Sequence, residues 1–459
     1  MTLREWIGFL KERGKLLSLK DEFSPQWEIS AALRILQTKR IKKGVLFERV
    51  KGYEGYRIVG NLFLDEDFLS AKSGSEDISD WYEKRRNKPI PPVLVRSGPV
   101  KEVKINGEGL DLKKEIPALV HHEEDVGPYL TSSVIIAKDP ETGKKGVGIH
   151  RVQILEGNRI RVFIANPPLS LFVKKAEELK KPLEIAIVNG LDPVTLFSSI
   201  IPLPEEDKFA LAGALKGEPL LLVQAETIDV EVPAEGEIVL EGVLYPDRKE
   251  IDGPFGENTG YYFVNESYGG LIKALTRRKD PIYHVILPFS PEVENIINLA
   301  WQLEEFKKLK NDFDFVKKVK FYQTRMLAVV QIQKENQSQV SLIIEHLLDQ
   351  PIIKGVIVVD EDVDVNDLNE IFWAIITRVD FEKNIFLKRE KPGCPIDPMG
   401  RGYYREKSLF YGLYPKITKI GIDATKPIDE RERFKKVDVP FSVIEKIKGV
   451  LEVDRENNL

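Results

Sequence analysis

Apolar positions along this chain change their period from segment to segment. Leu3, Trp6, Ile7 and Leu10 recur at helical spacing, and Thr2 with Glu5 has the spacing of a capping box, which predicts an amphipathic helix docked on a core. SAALRILQTKRI repeats the helical period, whereas GVLFERV and YRIVGNLFL alternate as strands. DISDWYEKRRNKPIPPVLVRSGP is charged and Pro-rich and reads as a surface connector. From about residue 113 to 295 come short β-branched runs, among them YLTSSVIIAKD, GVGIHRVQIL, NRIRVFIA, LEIAIVNG, EIVLEGVLY and GGLIKALTRR. Only LSLFVKKAEELKK and DKFALAGALKG interrupt them as helices, so a closed or split barrel is predicted. A long helical pattern, NIINLAWQLEEFKKLKNDF, leads into MLAVVQIQ, SQVSLIIEHLLDQ, GVIVVDE and NDLNEIFWAIITRV. That strand–helix alternation predicts a parallel-sheet α/β domain. VPFSVIEKIKGVLEV closes the pattern as a short amphipathic tail helix, able to dock on its own chain or on a partner subunit.

At 459 residues the chain is long enough for two or three domains. With 42% hydrophobic and 31% charged residues it is a globular composition, which excludes a mainly disordered chain. Lys+Arg total 68 against 73 Asp+Glu, a net charge of −5, so the basic excess that phosphate-backbone binding needs is missing and no nucleic-acid partner is expected. No apolar run reaches transmembrane length and the N-terminus is not a signal peptide, so no integral membrane segment is expected. The lone Cys394 cannot form an internal disulfide, and a reducing, cytoplasmic location is the expectation.

Several polar clusters resemble sites without meeting the chemistry. DEDVDVND (360–367) alternates acids as a calcium loop does, but Val365 and Ile371 stand where an EF-hand needs Gly and Glu, so it reads as a strand-end turn capping a helix. HHEED (121–125) has no metal-binding spacing and reads as a surface loop. His284 and His346 lie inside apolar runs and read as satisfied packing histidines. GVGIH (146–150) lacks the full dinucleotide fingerprint. Cys394, in KPGCPIDP, has no nearby His to activate it. IDGPFGENTGYY (251–262) is richer, because Asp252 and Glu257 flank a Gly-Pro-Phe-Gly turn that holds them close. With a nearby Arg, such a pair makes an acid/base cluster; alone, it equally suits a structural loop.

Taken in order, LREWIGFLKERGKL and LFERVKGYEGYRIVGNLF, then DVGPYLTSSVIIAKDPETG, GVGIHRVQI, FALAGALKGEP, DVEVPAEGEIVLEG and DGPFGENTGYY, then FWAIITRVD and IGIDATKP, resemble the UbiD family of decarboxylases, which use prenylated FMN. The resemblance covers nearly the whole chain. It implies a mixed α/β (α+β) architecture: an N-terminal α/β domain (1–112), a central flavin-reductase-like split β-barrel (113–295), a linker helix (296–320), a C-terminal α/β domain (321–440) and a tail helix (441–459). It also implies homodimers or larger homo-oligomers, a flavin prenyltransferase as supplier of the cofactor, and removal or reversible addition of CO2 on a small unsaturated or aromatic carboxylic acid. The family's catalytic Arg falls on Arg151, and its two acids fall on Asp252 and Glu257. Arg151 would grip the substrate carboxylate with two prongs, Asp252 would hold the guanidinium, and Glu257 would protonate the carbon that loses CO2. A pocket that raises the proton affinity of Glu257 would serve that last role. Gly148, Ile149, Arg151 and Lys208 are the implied cofactor-binding positions.

The departures from the family pattern cluster at one place. Its divalent metal, typically manganese, bridges to the flavin phosphate through an Asn, a His and a Glu. These positions fall on Gly146, on or beside Pro167, and on Lys208, none of which binds a hard cation. A one-residue slip would bring Asn166 or Asp207 into play. The usual manganese site is therefore expected to be absent. Lys208 could supply a positive charge in its place, although nothing else in PEEDKF points inward, which makes a solvated loop lysine the plainer expectation. The aromatic/His/Arg segment that cradles the flavin is altered to VFIANPPL. Two rival readings follow: a cofactor-free paralogue serving as a binding or complex subunit, and a site repurposed for another anion with Lys208 and Arg151 as clamps.

Overall fold

The computed structural model describes residues 1–64, 68–69, 74, 77–107, 109–164, 166–400 and 415–456. Its first helix, Leu3–Glu12, begins at the expected capping box: Thr2 accepts from the Glu5 amide, and the Glu5 carboxylate accepts from the Thr2 amide at 2.7 Å. Leu3, Trp6, Ile7 and Leu10 face the core as their spacing requires. The first sheet runs Leu16–Phe23, Gly44–Val50, Arg57–Gly60, then Ile282–His284. That last strand lies parallel to Arg57–Gly60 and corrects the expected division at 112, since residues assigned to the barrel complete the N-terminal sheet. The reason is physical: a three-residue apolar run announces burial but not which sheet it joins. His284 is buried in this strand near Phe63, with ring centroids 5.9 Å apart. Among the described residues neither ring nitrogen has a partner, so it packs without being satisfied there, and burial pushes it down to about 3, leaving it neutral.

The central sheet has nine strands. Its path runs Tyr129–Leu130, Val152–Ile154, Arg159–Val162, Tyr262–Arg277, Ile238–Gly256, Leu183–Asn189, Val134–Lys138 and Lys145–Ile149. Among the described residues the two ends of that path are not paired, so the barrel is split rather than closed. Val103–Asn106 joins as a branch on Tyr262–Arg277, a second correction to the boundary at 112. The spine is the hairpin of Ile238–Gly256 and Tyr262–Arg277, whose register shifts between Asp252 and Phe255. Such an irregularity turns side chains away from the plain alternation. Gly253, at φ +117, sits within it, where a side chain would meet the Phe263 carbonyl at 2.5 Å.

The long helix spans Pro291–Asp312 rather than 296–320: Ser290 caps it, Pro291 occupies its first turn, and the strand Val316–Tyr322 follows. Its buried Glu292 accepts hydrogen bonds from the amides of Asn61 (3.1 Å), Leu62 (2.6 Å) and Phe63 (3.3 Å), tying the helix to the first sheet. The C-terminal sheet runs Val316–Tyr322, Leu327–Ile332, Gly355–Asp360, Lys416–Asp423, Ile385–Pro392, with a parallel centre as the alternation predicts. Its helices are Ser338–Leu348 and Leu368–Arg378. The acidic turn before the second behaves as read: Asp367 caps the helix, and Arg378 binds Asp360 and Asp362. The tail helix is Phe441–Glu456. Among the described residues no helix is long and apolar enough to cross a membrane.

Candidate active site

Arg151 lies between the strands Lys145–Ile149 and Val152–Ile154, facing the spine of the split sheet. Its Nε and Nη2 donate to Asp252 Oδ2 at 3.2 and 3.0 Å, while Nη1 donates to Glu257. Asp252 also receives the Tyr129 hydroxyl on Oδ1 and the Ser267 hydroxyl on Oδ2, each at 2.6 Å. The guanidinium carbon stands 4.3 Å from the Phe163 ring centre and 4.8 Å from that of Phe255. All three predicted residues are buried: Arg151 is 9% exposed, Asp252 1% and Glu257 8%. Burial opposes the charge on Arg151, but the Glu257 and Asp252 carboxylates outweigh it and raise its proton affinity. Tyr129 and Ser267 were not foreseen. Alternation along YYFVNESYGG puts Ser267 on the buried face, yet nothing in it says that the hydroxyl meets an acid.

The HHEED segment corrects its reading as a surface loop. Glu123 and Glu124 are exposed, but His121 and Asp125 are buried. Asp125 accepts from the amides of His121 (3.2 Å) and His122 (2.9 Å) through Oδ2, and from Gly256 (2.9 Å) through Oδ1. Burial would raise Asp125, but the hydrogen bonds from His122 and Gly256 hold it below the usual carboxylate range. The loop thus braces the backbone immediately before Glu257. A cavity of ≈370 Å³ opens beside it, lined by Trp27, Ser30, Arg34, His121, His122 and Leu287.

The region expected to handle the cofactor looks different. A side chain on Gly146 would meet Phe172 Cζ and Pro168 Cγ at 2.9 Å, so the position that carries the family's Asn is filled by apolar atoms of other residues. Slipping the register does not restore a ligand set. Asn166 is exposed, and Asp207 caps the helix Lys208–Lys216 by accepting from Phe209 and Ala210. Among the described residues no group of three His, Cys, Asp or Glu is placed to hold a metal ion. The residues present do not fit the family's metal.

Lys208 overturns the expectation of a solvated loop lysine. It is 6% exposed, and its ammonium donates to the Ser199 carbonyl at 2.9 Å. Asp207 starts the helix, and the first helical turn carries Lys208 inward against the end of Pro193–Ile200, a placement that the short run PEEDKF does not encode. Burial pushes Lys208 down to about 8. The adjacent His150, lowered by burial and then by Lys208, falls to about 3 and is neutral. Gly148, on the same strand as Gly146, is closely packed, since a side chain there would stand 3.2 Å from His150 Nε2 and 3.5 Å from Leu169 Cδ1.

A split sheet that buries a guanidinium between two carboxylates, flanked by two α/β modules, defines a class of enzymes built to handle carboxylic acids. The chain belongs to the UbiD family of carboxy-lyases. Residues 7–71, 93–291 and 296–424 match the N-terminal, Rift-related and C-terminal domains of 3-octaprenyl-4-hydroxybenzoate carboxy-lyase. The chain is 32% identical to an anhydromevalonate phosphate decarboxylase of Methanosarcina mazei, over 96% of this chain and 100% of that one. It is 29% identical to a phenolic acid decarboxylase of Sedimentibacter hydroxybenzoicus, over 93% and 92%. Among solved structures, the UbiD-class enzyme HmfF from Pelotomaculum thermopropionicum in complex with FMN matches with TM-score 0.88 and 34% identity, over 96% and 98% of the two chains. An evolved dimeric form of HmfF in complex with prFMN matches at 0.84 with 32% identity, over 96% and 97%.

Proposed function

We propose that this chain is a non-oxidative decarboxylase of an unsaturated or aromatic carboxylic acid, working with prenylated FMN. The observation that carries the proposal is the buried Arg151 guanidinium held between Asp252 and Glu257. The naming of relatives as decarboxylases of phenolic acids and of anhydromevalonate phosphate supports the substrate class. The residues suit a flavin phosphate better than they suit a metal: Lys208 is a buried cation that matches a phosphate ester. When bound, the prenylated flavin supplies an electron-accepting ring that stabilises the carbon from which CO2 departs.

The chain's own residues supply the rest. Asp252, fixed by four hydrogen bonds, clamps one edge of Arg151. An incoming substrate carboxylate takes Nη1 in place of Glu257, which takes up a proton as its cationic partner is withdrawn. The C–C bond breaks and CO2 leaves. Glu257 then delivers its proton to the carbon, and its carboxylate returns to Nη1, so that a carboxylate and a proton become CO2 and a C–H product. Phe163 and Phe255 cover the guanidinium and keep water from competing for it. The cavity beside His122 is the proposed way in.

The cofactor comes from a separate flavin prenyltransferase in this reading, and the enzyme acts in a reducing cytoplasm as a homo-oligomer. An exposed apolar stripe at Leu368, Phe372 and Ile376, one helical turn apart, supports self-association. The cofactor-free rival draws on the Phe172-filled metal position. Purified protein co-expressed with a flavin prenyltransferase separates the two. The decarboxylase reading expects flavin absorbance and CO2 release that is lost in Arg151→Ala. Colourless protein without CO2 release favours the rival.

A further inference from the structure

We infer that this chain holds its flavin phosphate without a divalent metal, using the Lys208 ammonium as the charge partner. The inference rests on the flavin reading above and adds how the phosphate is neutralised. Its first support is steric. The strand that would present the metal-binding Asn carries Gly146, and Phe172 and Pro168 fill the space beyond it. Both are buried, so a side chain at 146 cannot be admitted without displacing packed core.

The second support is electrostatic. Lys208 is buried with its ammonium on a single carbonyl, that of Ser199. No carboxylate forms an ion pair with it among the described residues, and its neighbour His150 is neutral. An ammonium has three donors, and burying one without a counter-charge is costly. Lys216 has Asp192 at 3.0 Å, and the likewise buried Lys419 rests on two carbonyls, those of Leu348 and Gln350, whereas among the described residues Lys208 has the Ser199 carbonyl alone.

The third support is charge balance. The resemblance assigns the family's metal to a neutral Asn, a neutral His and one Glu. A divalent cation with one carboxylate carries a net single positive charge. Replacing both by one ammonium preserves that charge while removing the ion. Three separate losses at Gly146, Pro167 and Lys208 therefore form one coherent exchange. The ligand class is a phosphate monoester, held by charge-assisted hydrogen bonds and not by coordination.

The test is flavin binding by the purified full-length chain, followed by fluorescence quenching with FMN and with riboflavin, which lacks the phosphate. Titrations are run in EDTA and again with added manganese, and bound metal is measured by elemental analysis. The inference expects FMN affinity unchanged by EDTA, no stoichiometric manganese, and FMN preferred over riboflavin by roughly tenfold or more. Lys208→Met should erase that preference, and Lys208→Arg should keep most of it. FMN binding that requires manganese, or a full FMN preference in a folded Lys208→Met, overturns the inference and leaves the decarboxylase reading standing. Should Lys208→Met fail to fold, the EDTA comparison on the unaltered chain still decides. Binding of neither flavin, even after co-expression with a flavin prenyltransferase, overturns the cofactor reading itself and the inference with it.

Discussion

Four residues along one strand and its turn separate Gly146 from Arg151, and the two ends are stabilised in opposite ways. At Arg151 the polar groups are paired with one another: four hydrogen bonds converge on Asp252, and two aromatic rings cover the guanidinium. At Gly146 the space is apolar, and the buried Lys208 ammonium rests on the Ser199 carbonyl. The contrast shows which demands of the site are geometric and which are only electrostatic. In the proposed reaction a proton must travel to a defined carbon, which would fix the directions of Arg151 and Glu257. A phosphate needs compensating charge, which ions and ammonium groups can supply in exchange for one another.

The sharpest break of the comparison is Glu257→Gln. It keeps the shape and an acceptor for Arg151 but has no proton to give. CO2 release should fall by about 10²–10⁴-fold with flavin absorbance unchanged. A loss of less than tenfold would mean that the proton comes from elsewhere.

The next effect is on stability and belongs to the other end. Lys208 is depressed to about 8 from its usual 10.5, so between those values the unfolded chain binds more protons than the folded one. The stability of the flavin-free protein should therefore rise from pH 8 to pH 10.5, by about 3 kcal/mol at most. Chemical denaturation across that window should show the slope in the parent and lose its Lys208 share in Lys208→Met. An identical slope in the two proteins would place the titration elsewhere.

A smaller effect comes from trying to rebuild the metal site. Gly146→Asn forces a side chain against Phe172 and Pro168 and should cost about 1–3 kcal/mol by overpacking. Thermal unfolding measures it, and an unchanged midpoint would show that the space is open after all. Smallest is Tyr129→Phe, which removes one of the four bonds on Asp252 and should cost about 1 kcal/mol of stability. A modest fall in kcat should accompany it, and a loss as large as that of Glu257→Gln would give the hydroxyl a part in the chemistry.

Much of this was legible in the sequence where local rules suffice. The capping box at Thr2 and Glu5, the strand–helix alternation after residue 321, and the short spacing from Asp252 to Glu257 each depend on neighbours in the chain. The family resemblance, not any local rule, is what implied a link between Arg151 and those acids, and in the structure the guanidinium contacts both carboxylates. What escaped depends on contacts across sequence. Alternation reveals that Ile282–His284 is buried but not that Arg57–Gly60 is its neighbour. The burial of Lys208 is decided by the end of another helix, at Ser199. The bracing role of Asp125 is decided by a backbone amide 131 positions away, that of Gly256.

The strand Ile282–His284 also has a mechanical consequence. The chain leaves the split sheet, is stitched into the first sheet, and only then enters Pro291–Asp312, where Glu292 fastens it a second time. The first two modules are thereby locked into one block, and the third is carried on that helix as on a lever. The turn after Glu257 touches the third module, with the Thr259 hydroxyl on the Ile396 carbonyl at 2.9 Å. The turn beside Glu257 is thus tied, through one hydroxyl, to a module that carries none of the three charged groups.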